Sequence, residues 1–166
     1  MTDACWLVDI GHVVKSARER FKLDYIRARY LLVTRYGQTS AFLFNGVDPA
    51  YGIPPGLQRF YDSMTQHGMT VRLQPMQSGP PGTNRQRRVD VDIAAHLVWA
   101  ASVSRFTSIV LTAGDQDFVP ALEIARREFQ KQIILFTYSS SAHSDLAAIA
   151  DEWIRFEDYK EDISSR

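Results

Sequence analysis

Short apolar runs alternate along the chain with longer segments in which apolar residues recur at helical spacing. That alternation is typical of βαβ units, in which parallel strands form a central sheet and the connecting helices cover its faces. The predicted strands are Ala4–Asp9, Ser40–Asn45, Thr70–Pro75, Ser108–Thr112, Gln132–Tyr138 and a short last strand at Trp153–Phe156. The predicted helices are Tyr25–Tyr36, Pro55–His67, Val89–Ser102, Phe118–Phe129 and Ser141–Ala150. The pattern therefore predicts an α/β fold with a mainly parallel sheet of five or six strands.

The length of 166 residues suits one domain with a sizeable core. We expect a single domain over residues 1–160, followed by a polar C-terminal tail at 161–166. The 19 basic residues balance the 19 acidic ones, so no overall basic field attracts nucleic acid and any such contact must be local.

Cysteine content and hydropathy indicate where the protein works. Cys5 is the only cysteine, which excludes an internal disulfide and a cysteine-based zinc site and suits a reducing compartment. No apolar run approaches the roughly 18–20 residues of a membrane span, and the N-terminus lacks the basic and apolar segments of a signal peptide. We therefore expect a cytoplasmic protein that does not contact a membrane.

Two predicted strands deliver acidic side chains to loops. The first strand ends at Asp9, and the fourth leads through a glycine to Asp115 and Asp117. In a doubly wound sheet, ligands bind outside the carboxyl ends of the strands, where the strand order reverses. If the two strands are neighbours at that point, Asp9 and Asp115 converge. Asp90, in the first turn of the third predicted helix, could lean over the same crevice.

Such a cluster favours phosphate chemistry. Carboxylates in one site repel each other unless their pKa values rise or a cation joins them. Mg²⁺ and Mn²⁺ prefer oxygen ligands, can clamp a phosphate oxygen and can activate a bound water. The segment 76–88, rich in Pro, Gly, Ser, Gln and Arg, is interpreted as a mobile surface loop that brings Arg85, Arg87 and Arg88 next to Asp90. These arginines would hold a phosphate backbone, so the residues favour hydrolysis of a phosphodiester bond.

Each acid taken singly has a simpler explanation. An Asp after a strand is more often a turn or capping residue than a ligand, and Asp117 is well placed to cap the next helix. Ser141 is expected to cap the helix that follows it. His96 lies one helical turn after Asp92, so a hydrogen bond between the two is expected. We interpret the acids as a site because they occur together with a basic loop.

The same residues resemble the NYN domain of the LabA/DUF88 type, a group within the PIN-like nuclease superfamily. The resemblance spans nearly the whole chain, with its motifs in the same order. They are Asp9, Arg88–Val91, Ala113–Pro120, Ser139–Ser140, Leu146 and Ala150–Asp151. The resemblance implies a Rossmann-like three-layer α/β/α sandwich and a metal-dependent ribonuclease. It puts Asp9, Asp90, Asp115 and Asp117 at the catalytic acidic positions, and we assign Asp9, Asp90 and Asp115 to a Mg²⁺ or Mn²⁺ ion.

Three positions depart from the usual family pattern. His12 stands where the family usually has Asn, Ala113 where it has Ser, and His96 where many relatives carry an acid. Residues that support metal ligands tune affinity and activity. We expect His12 to line the substrate site and, with an ordinary pKa of about 6.5, to make activity depend on pH.

Three functions stay open at this stage. The first is a ribonuclease that acts on single-stranded or structured RNA, and the second is a catalytically inactive RNA-binding or protein-interaction module. The third is a phosphatase or another small phosphoester hydrolase that uses the same acids, which the Arg-rich loop disfavours because it suits a polymer better than a monoester. A homodimer or another protein partner is compatible with any of these functions.

Overall fold

A parallel sheet organises the molecule in the computed structural model, which describes residues 3–80, 83 and 85–166, apart from the side chain of Glu19. Its strands are β1 (Asp3–Asp9), β2 (Thr39–Val47), β3 (Thr70–Pro75), β4 (Phe106–Thr112), β5 (Gln132–Thr137) and β6 (Glu152–Arg155). They lie in the order β3-β2-β1-β4-β5-β6, and every neighbouring pair is parallel. The predicted α/β fold with a mainly parallel sheet is confirmed.

Helices cover both faces of this sheet. They are α1 (Ile10–Ser16), α2 (Tyr25–Tyr36), α3 (Pro55–Gln66), α4 (Arg87–Ser102), α5 (Val119–Arg127), α6 (Ser144–Ile149) and α7 (Lys160–Ile163). The helices α1, α2, α3 and α7 pack on one face, and α4, α5 and α6 pack on the other. The result is the three-layer sandwich that the resemblance implied. No helix in the described part of the chain is long and apolar enough to cross a lipid bilayer.

Two short helices were not predicted from the sequence. Helix α1 buries only Ile10 and Val13, which is too few residues to reveal a helical period. Helix α7 buries Ile163 completely, and Ser164 forms a bridge with Leu23. The packed chain therefore extends beyond the predicted boundary at residue 160, because an apolar residue in the polar segment docks on the core.

The strand order reverses between β1 and β4. After β1 the chain builds outward through β2 and β3, and it then crosses back to place β4 on the other side of β1. Val8 pairs with Thr112, so the two strands end at the same level. A buried chain of hydrogen bonds joins three strands just below this edge: Trp6 Nε1 donates to Thr112 Oγ1 at 2.8 Å, and that hydroxyl donates to the Phe136 carbonyl at 2.6 Å. The crevice at the reversal thus has a rigid base.

Candidate active site at the carboxyl edge of the sheet

Asp9 ends β1 and caps α1 at the strand reversal. Its Oδ1 accepts a hydrogen bond from the His12 backbone N–H at 3.2 Å. Burial is the largest cause that raises the pKa of Asp9, to about 6, and the charges of Asp90 and Asp115 raise it further, while hydrogen bonds from the His12 and Gly11 backbone lower it. Asp90 and Asp115 therefore lie within electrostatic range of Asp9.

Asp115 follows β4 and holds the turn that carries Asp117. Its Oδ1 accepts a hydrogen bond from the Asp117 N–H at 2.9 Å, which caps the 3₁₀ turn Gln116–Phe118. Both aspartates are exposed, and α5 begins at Val119 without a side-chain cap. The interpretation of Asp117 as the cap of the next helix is therefore wrong, because the intervening turn gives the capping role to Asp115.

Asp90 reaches the cluster because α4 begins against the start of α1. A Cβ built on Gly11 would lie 3.0 Å from Oε1 of Gln86, the residue before α4, and 3.4 Å from Oδ1 of Asp9. A side chain at position 11 would thus separate the two helix starts. Asp90 is half-buried in the first turn of α4, and its N–H donates to the Gln86 carbonyl at 3.1 Å.

Asp92 has a different role from Asp90. Its two carboxylate oxygens accept hydrogen bonds from Arg72 Nε at 3.2 and 3.0 Å, and one of them also accepts from the Gln74 amide at 3.3 Å. The other oxygen lies 3.0 Å from His96 Nδ1. The predicted contact between Asp92 and His96 is confirmed, and the cluster joins α4 to β3.

His12 connects the start of α1 to the loop that follows β5. Its Nε2 lies 3.2 Å from the Ser141 hydroxyl, which itself donates to the Tyr138 carbonyl at 3.1 Å, so Nε2 is the donor to that oxygen. The ring also lies against Gly114, where a Cβ would be 2.4 Å from Cε1. Burial, with a smaller effect of Lys15, lowers the pKa of His12 to about 4. The expected titration near pH 6.5 is wrong, because the enclosed ring stays neutral at neutral pH.

Ser141 does not cap α6. The cap is His143, whose Nδ1 accepts a hydrogen bond from the Asp145 N–H at 3.1 Å. The Ser141 hydroxyl turns toward His12 instead, and the prediction is wrong because α6 begins later than its sequence pattern suggested.

The three arginines divide into two groups. Arg85 Nε donates to the Gln77 carbonyl at 2.9 Å, and its Nη2 lies 3.5 Å from Asp48, so this residue ties the loop to the end of β2. Arg87 and Arg88 are exposed in the first turn of α4 rather than in the loop before it. Three residues of the predicted mobile loop, Pro81, Gly82 and Asn84, lie outside the described residues.

Comparison with known proteins identifies the family. The family model described as NYN domain matches residues 2–157. This chain belongs to the NYN domain family. The crystal structure of a protein of unknown function from Vibrio parahaemolyticus RIMD 2210633 is similar, with a TM-score of 0.80 at 21% identity, over 99% of this chain and 96% of that chain. At this identity the similarity concerns the fold, and no curated protein matches the sequence.

The donor set of this NYN domain fits a hydrated divalent ion. Within the described ranges, no three His, Cys, Asp or Glu side chains come close enough together to hold a metal by themselves. Mg²⁺ commonly binds through one or two carboxylates and keeps several waters, so it does not require a closed cage. Asp9, with Asp90 and Asp115 close enough to raise its pKa, offers oxygen ligands and negative charge.

Two contacts in the NYN domain were missed from the sequence. The link between His12 and Ser141 joins residues 129 positions apart. The side chain of Gln86 packs on Gly11, which is also distant from it in the sequence. The only sequence signal for either contact is the glycine next to each acidic strand end. A glycine there indicates that another segment packs closely against the backbone, but the sequence does not show which segment that is.

Proposed function

We propose that this NYN domain is a ribonuclease that hydrolyses RNA phosphodiester bonds with the help of Mg²⁺ or Mn²⁺. The observation that carries the proposal is the environment of Asp9, a half-buried carboxylate at the strand reversal whose pKa is raised to about 6 by burial and by two neighbouring acids. Such charge is unfavourable in the free protein and favourable beside a cation. The PIN-like nuclease fold of the family supports the same chemistry.

The aspartates have separate roles in this proposal. Asp9, Asp90 and Asp115 would hold the ion, at least one of them through a coordinated water, and Asp117 would complete the acidic cluster on its exposed side. The ion, when bound, would lower the pKa of a coordinated water and neutralise charge on the scissile phosphate. The His12 backbone N–H holds the Asp9 carboxylate in one orientation, so this ligand needs no rearrangement.

His12 and the arginines would support this chemistry from around the cluster. The neutral His12 ring braces Gly114 and Ser141, so we assign it the positioning of the loop that carries Asp115 rather than proton transfer. Arg87 and Arg88, exposed on the same turn as Asp90, would bind flanking phosphates of the RNA. Arg85 would contribute mainly by holding the loop against Asp48.

A cleavage assay with Mn²⁺ on single-stranded and structured RNA tests the proposal. Asp115→Asn should lower the rate at least about 100-fold, because removal of a ligand costs more than the 10–100-fold typical of a supporting residue. The matched control is Asp62→Asn, an exposed aspartate of α3 that accepts a hydrogen bond from Gln58 and has no other partner in the described part of the chain, and it should cleave as wild type does. The same assay on DNA of the same sequence tests whether the protein cleaves RNA in preference to DNA.

RNA binding, measured in parallel by fluorescence anisotropy, separates the two functions. If wild type and Asp115→Asn are equally inert and both bind RNA, the protein is an RNA-binding module that lacks catalysis. If neither binds RNA, a protein-interaction role replaces both RNA functions.

A further inference from the structure

A cavity of about 320 Å³ lies beside Asp9, on the face of the sheet that α1 to α3 cover. Ile10 and Val13 of α1 form one wall, and Leu57 and Phe60 of α3 form another. Because Ile10 directly follows Asp9 in the chain, the cavity adjoins the acidic cluster. Its volume falls at the lower end of the roughly 300–1,000 Å³ of small-ligand sites, which suits one ring system better than an extended molecule.

Tyr25 is the buried polar residue of this cavity. It is only 7% exposed, and its ring packs on Phe60 with 5.4 Å between ring centroids. Burial first, and then the nearby Tyr138, Asp9 and Tyr61, raise its pKa, so the phenol faces the same region as Asp9. Its hydroxyl is not fully enclosed and makes no hydrogen bond within the described part of the chain, whereas the hydroxyls of Tyr61 and Tyr138 are both bonded.

A hydroxyl that opens into an apolar cavity points to a ligand with a polar edge. A molecule that fills the cavity displaces the water around this hydroxyl, so it must supply a hydrogen-bond partner or the lost hydration costs free energy. The mouth of the cavity carries Lys22, a cation, and Val14, which is 59% exposed. The cavity therefore combines apolar walls, one hydroxyl that opens into it and a positive charge at its entrance.

We propose that this cavity binds one nucleobase of a single-stranded RNA, next to the phosphate at the acidic cluster. The inference rests on the proposed ribonuclease function and names its substrate class. The apolar walls and the Phe60 ring suit the faces of a base, the Tyr25 hydroxyl suits a polar atom on its edge, and Lys22 suits a backbone phosphate. A base in a duplex is stacked and paired, so single-stranded RNA reaches the cavity at the lower cost.

Two variants test the cavity. Tyr25→Phe removes the hydroxyl and keeps the ring that packs on Phe60. Val14→Trp covers the mouth from an exposed helix position, so it should leave the thermal midpoint unchanged. The matched control is Tyr30→Phe, on the same helix as Tyr25 but 72% exposed and outside the cavity lining.

The probe is a short single-stranded RNA, together with copies that each lack the base at one position. Wild type should bind one abasic copy about 10-fold more weakly than the intact RNA, the loss expected for one stacked base. Val14→Trp should bind the intact RNA and that copy equally. Tyr25→Phe should weaken binding of the intact RNA several-fold but not binding of the abasic copy, and Tyr30→Phe should bind both as wild type does.

Three results would overturn the base-binding inference. In the first, wild type binds all abasic copies equally well. In the second, the Tyr25→Phe and Val14→Trp variants both bind every RNA as wild type does. In the third, Val14→Trp weakens the binding of every copy by the same factor. If wild type still cleaves RNA in these cases, the ribonuclease proposal stands and only the cavity assignment falls. If wild type neither binds nor cleaves RNA, the proposed function itself fails, and the inference fails with it.

Discussion

Asp9 is the residue at which stability and the proposed function oppose each other. Its folded-state pKa of about 6 lies above the ordinary value of 3.8, so the folded protein holds this proton more tightly than the unfolded chain does. The stabilisation from protonated Asp9 is therefore complete below about pH 4 and is lost as the pH rises through 6. Above pH 6 the charged carboxylate destabilises the metal-free protein.

We therefore expect Asp9→Asn to stabilise the metal-free protein at pH 7.5 by about 3 kcal/mol, given about 1.4 kcal/mol for each unit by which the pKa rises from 3.8 to about 6. The substitution should have little effect at pH 4. Asparagine also accepts a capping hydrogen bond, so the start of α1 should be preserved. Urea unfolding in EDTA at the two pH values measures the difference, and a difference that does not change with pH would contradict this account.

Because Gly114 has no side chain, its backbone can pack closely against its neighbours, and this packing fixes the position of Asp115. A Cβ at this position would lie 2.2 Å from the Ser141 carbonyl oxygen and 2.4 Å from the His12 ring. Neither neighbour can move cheaply, because one is backbone and the other is a ring held by a hydrogen bond. Asp115 follows directly, so any shift of the loop moves that carboxylate.

Gly114→Ala should lower the free energy of unfolding by about 1–3 kcal/mol, the usual cost of overpacking, and should reduce RNA cleavage. Gly56→Ala is the matched control, since a Cβ there meets only the Arg59 guanidinium at an ordinary 3.7 Å. This control should be neutral or stabilise α3 by about 0.5–1 kcal/mol. Equal stability of the two variants by urea unfolding would refute the packing argument.

At the scale of elements, the start of α4 brings basic and acidic residues together. Arg87 and Arg88 are exposed in the first turn of the helix, where the helix dipole disfavours positive charge. Asp90 in the same turn lies close enough to Asp9 for its charge to raise the pKa of that residue. The element thus joins the candidate phosphate contacts to the candidate metal site.

Replacing Arg87 and Arg88 together by Gln should weaken RNA binding and reduce the slope of log K against log salt by about 1.4, which corresponds to two phosphate contacts on a single strand. Arg105 and Arg127 provide a control pair of the same charge. Both are exposed at the opposite edge of the sheet, just before β4 and at the end of α5. Anisotropy titrations at several salt concentrations compare the pairs, and equal slopes would move the RNA surface elsewhere.

At the scale of the whole molecule, the site exists because the strand order reverses between β1 and β4. The reversal leaves a crevice at the carboxyl ends of two central strands, and in the proposed site three separate segments contribute Asp9, Asp90 and Asp115 to it. An ion that binds all three segments would stabilise the folded chain as a unit.

Mn²⁺ at about 100 times its Kd should therefore raise the thermal midpoint at pH 7.5 by about 5–10 °C. The shift should shrink as the pH falls through 6, because protons compete for Asp9. It should also shrink in Asp115→Asn but not in Asp62→Asn. Differential scanning fluorimetry measures these shifts of the thermal midpoint. An identical shift in both variants would indicate that the ion binds outside the cluster.

The sequence by itself determined the layers of the fold and the acidic strand ends. Helix Tyr25–Tyr36 and strand Thr70–Pro75 have the predicted bounds, because a hydrophobic period and its flanking turn residues are local properties. The acids at positions 9 and 115 were found for the same reason, since each follows a short apolar run. Helix α1 was missed, because seven residues with two buried positions carry too little pattern.

Only the tertiary structure decided what surrounds those acids. The neutral state of His12 depends on burial against Gly114 and Ser141, and the access to the Tyr25 hydroxyl depends on a cavity between α1 and α3. Both result from contacts between segments far apart in the chain, which no local pattern encodes. Side-chain identity sets which chemistry is available, whereas burial and proximity set the protonation state and the partners, and these arise only when the sheet brings the segments together.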